Sequence, residues 1–222
     1  CLNEKGVDVL ERKLKDLGLY IHIPFCVKKC DYCDFLSAPG TEAVKKQYVE
    51  TLITEIYSSK GMVDDYIVPT IFMGGGTPSA IDPLLIEDVM KALKDVFYVD
   101  DSRLEATIEV NPGTLMKDKL MIYKRSGINR ISFGLQSTDN TELKKLGRIH
   151  SYEEFKDNYN LAREIGFDNV NIDLMSALPG QTLKTWEKTL NTVIDLGPEH
   201  ISAYSLIIEN DTPFYNLYGE NG

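Results

Sequence analysis

Apolar positions along this chain repeat at two alternating periods. Residues 18–24 read as a strand, and residues 42–60 carry Val44, Tyr48, Leu52 and Ile56 at helical spacing, ending before Gly61. The pair then recurs. A short apolar strand runs through Ile71 and Phe72, a helix covers 83–97, and a strand covers 104–111. Helical spacing returns from Leu115 to Arg125 and stops before Gly127, followed by a strand over 128–136 and helices over 139–146 and 152–165. A strand over 169–175, a helix over 182–195 and a strand over 200–208 complete the series. Upstream, Val7, Leu10, Leu14 and Leu17 predict a short amphipathic helix over 1–17, either packed on the domain or free as a partner-binding arm. The tail 209–222 is polar, with no element predicted. Strand–helix alternation without a long structureless loop predicts an α/β chain with a parallel sheet and helices outside it. Right-handed crossovers curl such a sheet one way, so six repeats fit an open (β/α)6 partial TIM barrel over 18–222.

The strands do not read as the continuous apolar runs of a sheet buried on both faces. One face carries Thr107, Glu109, Asn111, Ser132, Gly134, Gln136, Asn171 and Asp173. The other carries Ile108, Val110, Ile131, Phe133, Leu135, Val170, Ile172 and Leu174. The apolar face must meet the helices, so the polar face points into the barrel. Buried polar groups need partners, and the lumen is expected to hold a polar ligand or water, the alternative being that these residues bond to one another. The polar positions also gather at strand C-termini, the end of an α/β barrel where sites form.

Composition narrows the setting. The chain has 222 residues, with 43% hydrophobic and 26% charged, enough for one ordinary domain with a core. A net charge of −10 speaks against a nucleic-acid partner read through phosphates. No apolar run approaches the ~20 residues of a membrane span, and no secretory signal peptide is visible. Reduced cysteines point to a cytoplasmic protein.

Those cysteines form Cys26-Val-Lys-Lys-Cys30-Asp-Tyr-Cys33, at the end of the first strand. The spacing lets one tight loop turn three thiolates onto a small metal cluster. A [4Fe–4S] cluster takes four ligands, normally cysteines, so a three-cysteine motif leaves one iron open. A zinc site or buried free thiols remain the alternatives. The paired knuckles usual for zinc are absent, since the remaining candidates are Cys1, His22, His150 and His200. His22 fits best as a hydrogen-bonded core histidine. A second candidate is Gly74-Gly75-Gly76-Thr77, where the backbone can approach a ligand closely. It lacks the Walker lysine and is not a P-loop, and it can also be read as a plain strand-to-helix turn.

The Cys-x3-Cys-x2-Cys motif with its aromatic-rich turn resembles the radical S-adenosylmethionine (SAM) enzymes. The flanking Tyr20-Ile-His-Ile-Pro-Phe-Cys26 and Cys30-Asp-Tyr-Cys33-Asp-Phe35 resemble the oxygen-independent coproporphyrinogen III oxidase group, and within it the HemW-type haem chaperones. The resemblance runs from Leu17 onward. It implies a barrel of the radical SAM type, with Cys26, Cys30 and Cys33 holding a [4Fe–4S] cluster. It implies that Tyr20 lies beside the cluster and SAM, that Tyr32 covers the cluster, and that Gly75, Gly76 and Thr77 meet the SAM amino group. Glu109, Gln136, Arg148 and Asp173 match positions that hold SAM or a second SAM molecule, and Ile207 matches a last-strand contact. The chemistry agrees: carboxylates suit hydroxyls and cations, and Arg148 suits a carboxylate. The cofactors carry the reaction, so no catalytic side chain is named.

The oxidase pattern has a further cysteine where this chain has Phe35, and a longer N-terminal arm. Both departures favour the chaperone subgroup, which implies haem as a ligand, haem-accepting proteins as partners, and membrane association only through those partners. The alternative is coproporphyrinogen III decarboxylation or another porphyrin-directed radical reaction. The chaperone's haem motif lies beyond the barrel, and the one tryptophan here, Trp186, falls in a helix, so the chain reads as a SAM barrel without the family's C-terminal domain. An apolar patch is therefore expected to be exposed near Ile207 and Ile208.

Overall fold

The computed structural model describes residues 14–219. Six strands form one sheet in sequence order: β1 (Lys15–Ile23), β2 (Tyr66–Gly75), β3 (Glu105–Val110), β4 (Arg130–Gln136), β5 (Asn169–Ser176) and β6 (His200–Ser205). Every neighbouring pair is parallel. Because each strand pairs with the next, the crossovers all turn the same way and the sheet curls into an open half-barrel, as the strand–helix repeat predicts.

The crossovers carry α1 (Glu42–Ser58), α2 (Pro83–Val96), α3 (Lys117–Ser126), α4 (Asn140–Lys145), α5 (Tyr152–Ile165) and α6 (Leu183–Ile194). Their starts are written in the sequence. The side chains of Thr41, Asp82, Ser151 and Thr182 each accept an otherwise orphaned backbone N–H, and Ser151 with Glu154 forms a reciprocal capping box.

The alternation in the strands sorts the residues as expected. Ile71, Met73, Ile108, Ile131, Phe133 and Ile172 are buried under the helices, against Ile86, Met90 and Leu93 of α2 and Phe155 and Tyr159 of α5. Phe133 meets Phe155 edge-on, with ring centroids 5.6 Å apart. Both rings are fully buried, so Phe133→Ala is expected to cost about 3–5 kcal/mol in urea unfolding. A negligible loss there would contradict this packing.

Three differences from the sequence expectations alter the architecture. Most of the helix expected over 1–17 lies outside the described residues, but Lys15, Asp16 and Leu17 are strand. Lys15 and Asp16 stand in register with Tyr66 and Ile67, and the Lys15 N–H reaches the Asp65 carbonyl at 3.0 Å. Pairing with β2 wins over a weak helical pattern at the end of that segment. At the other end, β6 stops at Ser205 rather than residue 208. The Leu206 N–H still donates to the Ser176 carbonyl of β5 at 2.9 Å, and the side chains of Leu206 and Ile208 pack with Leu146, Met175, Leu178 and Phe214. Phe214 comes from α7 (Pro213–Tyr218), a short helix in the tail for which no element was expected. Its signal was present: Thr212 caps it, Pro213 opens it, and Phe214, Leu217 and Tyr218 follow helical spacing. The expected patch is accordingly halved. Ile207 is 69% exposed, whereas Ile208 is partly covered.

Candidate functional site

All six strands end at one mouth, and the loop after β1 lies across it. Backbone bonds set that loop's shape. Cys26 N–H reaches the Ala38 carbonyl at 3.2 Å, Ala38 N–H reaches the Pro24 carbonyl at 3.0 Å, and Cys33 N–H turns back to the Cys30 carbonyl at 3.1 Å. The glycine run at the end of β2 is stitched to it: Gly76 N–H donates to the Ile23 carbonyl at 2.9 Å and Thr77 N–H to the Phe25 carbonyl at 2.7 Å. Here glycine is required. Gly75 has φ +112°, and a Cβ on it would stand 2.5 Å from the His22 ring, while a Cβ on Gly76 would stand 2.7 Å from the Phe25 carbonyl oxygen. His22 is half-buried and hydrogen-bonded, as the sequence suggested. Its Nε2 lies 3.1 Å from the Leu36 carbonyl, which can only accept, so Nδ1 accepts the Tyr20 hydroxyl at 3.0 Å.

Cys26, Cys30 and Cys33 are free and half-buried, and all three line one cavity of about 460 Å³. A volume of that size suits one small organic ligand. Burial pushes the Cys33 thiol up, the backbone N–H of Phe35 opposes this, and the Cys30 and Cys26 thiols add to it. Among the described residues, no three His, Cys, Asp or Glu side chains crowd closely enough to hold a single metal ion. Three thiols on one cavity suit the separate irons of a cluster, each taking one cysteine.

Of the other residues singled out from the sequence, Tyr32, Gly75, Gly76 and Thr77 line the cavity beside the cysteines. Thr77 Oγ1 stands 3.5 Å from Cys26 Sγ. Glu109, Gln136, Arg148, Asp173 and Ile207 line its remaining walls. Tyr20 alone lies outside the lining: it is 58% exposed, with its ring stacked on Phe72 at 6.2 Å between centroids. Tyr20 pairs with Phe72 and alternates with the buried Ile21, so it faces the same lumen below the level of Glu109, and burial with the nearby Glu109 carboxylate pushes its phenol up.

Two carboxylates share the lumen on different terms. Asp173 is held: Asn171 Nδ2 donates to it at 2.8 Å and Ser132 Oγ at 3.1 Å. Ser202 in turn donates to Asn171 Oδ1 at 3.0 Å. The lower lumen therefore satisfies itself. Burial nevertheless raises the Asp173 carboxyl, with those hydrogen bonds opposing the shift. Glu109 receives only the Gly75 N–H, at 3.2 Å, among the described residues. Burial, reinforced by Asp173, pushes its carboxyl up to about 7. Such a group is matched to a cationic or hydrogen-bonding ligand.

Gln136 closes β4 with φ +76°, a left-handed backbone that non-glycine residues rarely adopt, and the register with β5 slips between Gly134 and Gln136. Its Oε1 accepts the Tyr204 hydroxyl at 2.7 Å. Arg148 follows Gly147, whose φ of +71° turns the chain between α4 and α5 against Asp31. Its Nη1 donates to Cys30 Sγ at 3.4 Å and its Nη2 to the Gly134 carbonyl. Its Nε is buried without a partner. Arg148 lines the cavity, and a guanidinium there fits a ligand bearing a carboxylate.

Some lining residues were not named from the sequence as site residues. Tyr204 is one, and the alternation of His200, Ser202 and Tyr204 on the lumen face of β6 would have found it. Burial pushes its phenol up to about 12. Lys28 and the 69% exposed Phe35 also stand on the rim, and no spacing rule points to them.

The profile of the Radical SAM superfamily matches residues 20–193. The chain belongs to the radical SAM superfamily. Membership implies SAM and an iron–sulfur cluster. Among curated proteins, the chain is 40% identical over 198 residues to "Heme chaperone HemW" of Bacillus subtilis, covering 89% of this chain and 52% of that protein. It is 41% identical over 203 residues to "Heme chaperone HemW" of Escherichia coli, covering 91% and 53%. The chain thus spans about half the length of the curated relatives it matches. Among solved structures, the radical SAM enzyme coproporphyrinogen III oxidase (HemN) from Escherichia coli superposes with a TM-score of 0.81 at 32% identity, over 89% of this chain and 46% of that one. Methylornithine synthase (PylB) superposes at 0.63 with 15% identity, a likeness of fold alone.

Proposed function

We propose that this chain is the SAM- and cluster-binding barrel of a haem chaperone, which takes up haem and passes it to haem proteins. One observation carries the core of that reading: three free thiols, the Arg148 side chain and two lumen carboxylates line a single cavity at the C-terminal mouth of the barrel. Cys26, Cys30 and Cys33 would ligate three irons of a [4Fe–4S] cluster, with the fourth iron open to SAM. Arg148 would take the SAM carboxylate. Gly75, Gly76 and Thr77 would bring the backbone to its amino group, and Glu109 and Asp173 would meet its cationic and hydroxyl groups. Gln136, Tyr32 and Ile207 would line the remainder, and Tyr20 would act from below the cavity. When bound, cluster and SAM supply one-electron cleavage of a sulfonium. The residues of this chain only bind, orient and shield.

Haem as cargo, and haem proteins as its recipients, rest on the likeness to the HemW proteins and on Phe35 at the position of the oxidase's additional cysteine. Three free cysteines fit a reducing cytoplasmic setting. Among the described residues no helix is long and apolar enough to cross a membrane, and any membrane contact would run through partners. The likeness to HemN favours a second reading, porphyrinogen decarboxylation.

The deciding experiment is anaerobic reconstitution with iron and sulfide, followed by EPR of the reduced protein before and after SAM. A [4Fe–4S] signal that changes shape with SAM is expected. A signal indifferent to SAM removes the SAM site. Incubation with coproporphyrinogen then separates the readings, since a decarboxylated product would replace the chaperone by the oxidase.

A further inference from the structure

Arg148 has a contact that SAM binding does not use. Its guanidinium is held from two sides: Nη2 is anchored on the Gly134 carbonyl of β4 and Nη1 donates to Cys30 Sγ at 3.4 Å, while Nε is buried without a partner. The anchoring is rigid. Gly134 has no side chain, and a Cβ there would stand 3.2 Å from Nη2. Gly147 lets the turn press against the cysteine loop, where Asp31 N–H donates to the Leu146 carbonyl at 3.1 Å. The guanidinium therefore cannot drift from the sulfur without breaking the anchor on β4.

We infer that Arg148 is a positioning residue which sets the reduction potential of the cluster through the Cys30 sulfur. The inference rests on the proposed ligation by Cys26, Cys30 and Cys33. Hydrogen bonds to ligand sulfurs and nearby charge are the protein's levers on cluster potential. Reduction adds one electron to the cluster and no proton to Arg148, which stays cationic at any working pH. A fixed positive charge and a donated N–H at the sulfur favour the more negative, reduced cluster. Its potential is thereby raised, which makes the cluster easier to reduce. The same side chain would then bind SAM and ease delivery of the electron to it.

The test is an EPR-monitored redox titration of the reconstituted protein, without SAM, comparing the parent with Arg148→Gln, Arg148→Lys and Lys145→Gln. Lys145 is exposed on the neighbouring helix, and its Nζ holds the Pro179 carbonyl at 2.9 Å without touching a cysteine. The midpoint is expected to move to more negative potential in Arg148→Gln. A smaller move is expected in Arg148→Lys, which keeps the charge but cannot span Gly134 and Cys30 as a fork. Lys145→Gln is expected to stay at the parent value. Unchanged midpoints in both Arg148 variants would overturn the inference, and so would an equal shift in Lys145→Gln, which would mark a bulk charge effect. If Arg148→Gln does not fold, the comparison of Arg148→Lys with Lys145→Gln decides alone. Failure of the parent to take up any cluster would instead sink the proposed function.

Discussion

Alanine at any one of Cys26, Cys30 and Cys33 is expected to leave the barrel folded and to abolish stable cluster binding. The cysteines sit on a loop at the mouth, outside the buried core that holds the strands and helices together. Removing one leaves two thiols for a cluster that needs at least three protein ligands beside an open iron, and no fourth described cysteine can substitute. Iron and sulfide per chain, measured after anaerobic reconstitution, should fall to background in each variant, while the far-ultraviolet dichroism of the apoprotein stays at the parent level. A variant that keeps a full cluster would remove that cysteine from the ligand set.

Glu109→Gln is expected to stabilise the apoprotein and weaken SAM binding together. Burial, reinforced by Asp173, pushes the native carboxyl up to about 7 from an ordinary value of 4.5. Between those values the folded chain binds more protons at this site than the unfolded chain, so stability falls as pH rises through the window. The full penalty, on the order of 3 kcal/mol for a shift of this size, is present above pH about 7 and absent below about 4.5. Glutamine carries no such penalty. Urea unfolding of the apoprotein should therefore favour the variant at alkaline pH, with the advantage fading as pH drops through the window. A difference between parent and variant that does not change with pH would contradict the burial of Glu109 beside Asp173. Calorimetric titration with SAM reads the other effect. Losing one charge-assisted hydrogen bond, worth about 1.5–3 kcal/mol, predicts roughly 10–100-fold weaker binding. Unchanged affinity would place the SAM ammonium and hydroxyls elsewhere.

The barrel was legible because β-strand alternation is a direct record of which face is wet. Thr107, Glu109, Asn111, Ser132, Gln136, Asn171 and Asp173 all face the lumen, and the intervening residues are buried. The cysteines were legible from local spacing, since a loop of eight residues fixes which side chains can meet. What periodicity alone did not reveal depends on contacts between distant segments. The early end of β6 follows the end of β5, whose last residue, Ser176, takes the Leu206 N–H, and Ile208 beyond it packs with the cluster around Phe214. The place of Tyr20 below the cavity follows from its stacking on Phe72, one strand away. The grip of Arg148 on Cys30 joins residues 118 positions apart, and only folding reveals it.

The short tail helix has a consequence for how the protein is made. Phe214 N–H donates to the Asp31 carbonyl at 3.0 Å, and its ring meets that of Tyr32, with centroids 6.3 Å apart. The segment between the second and third cysteines is thus clamped by residues translated near the end of this chain. Threaded from the ribosome, the nascent protein would expose its thiols early and acquire their clamp late. Until that downstream segment has folded against it, the loop between the second and third cysteines lacks this brace.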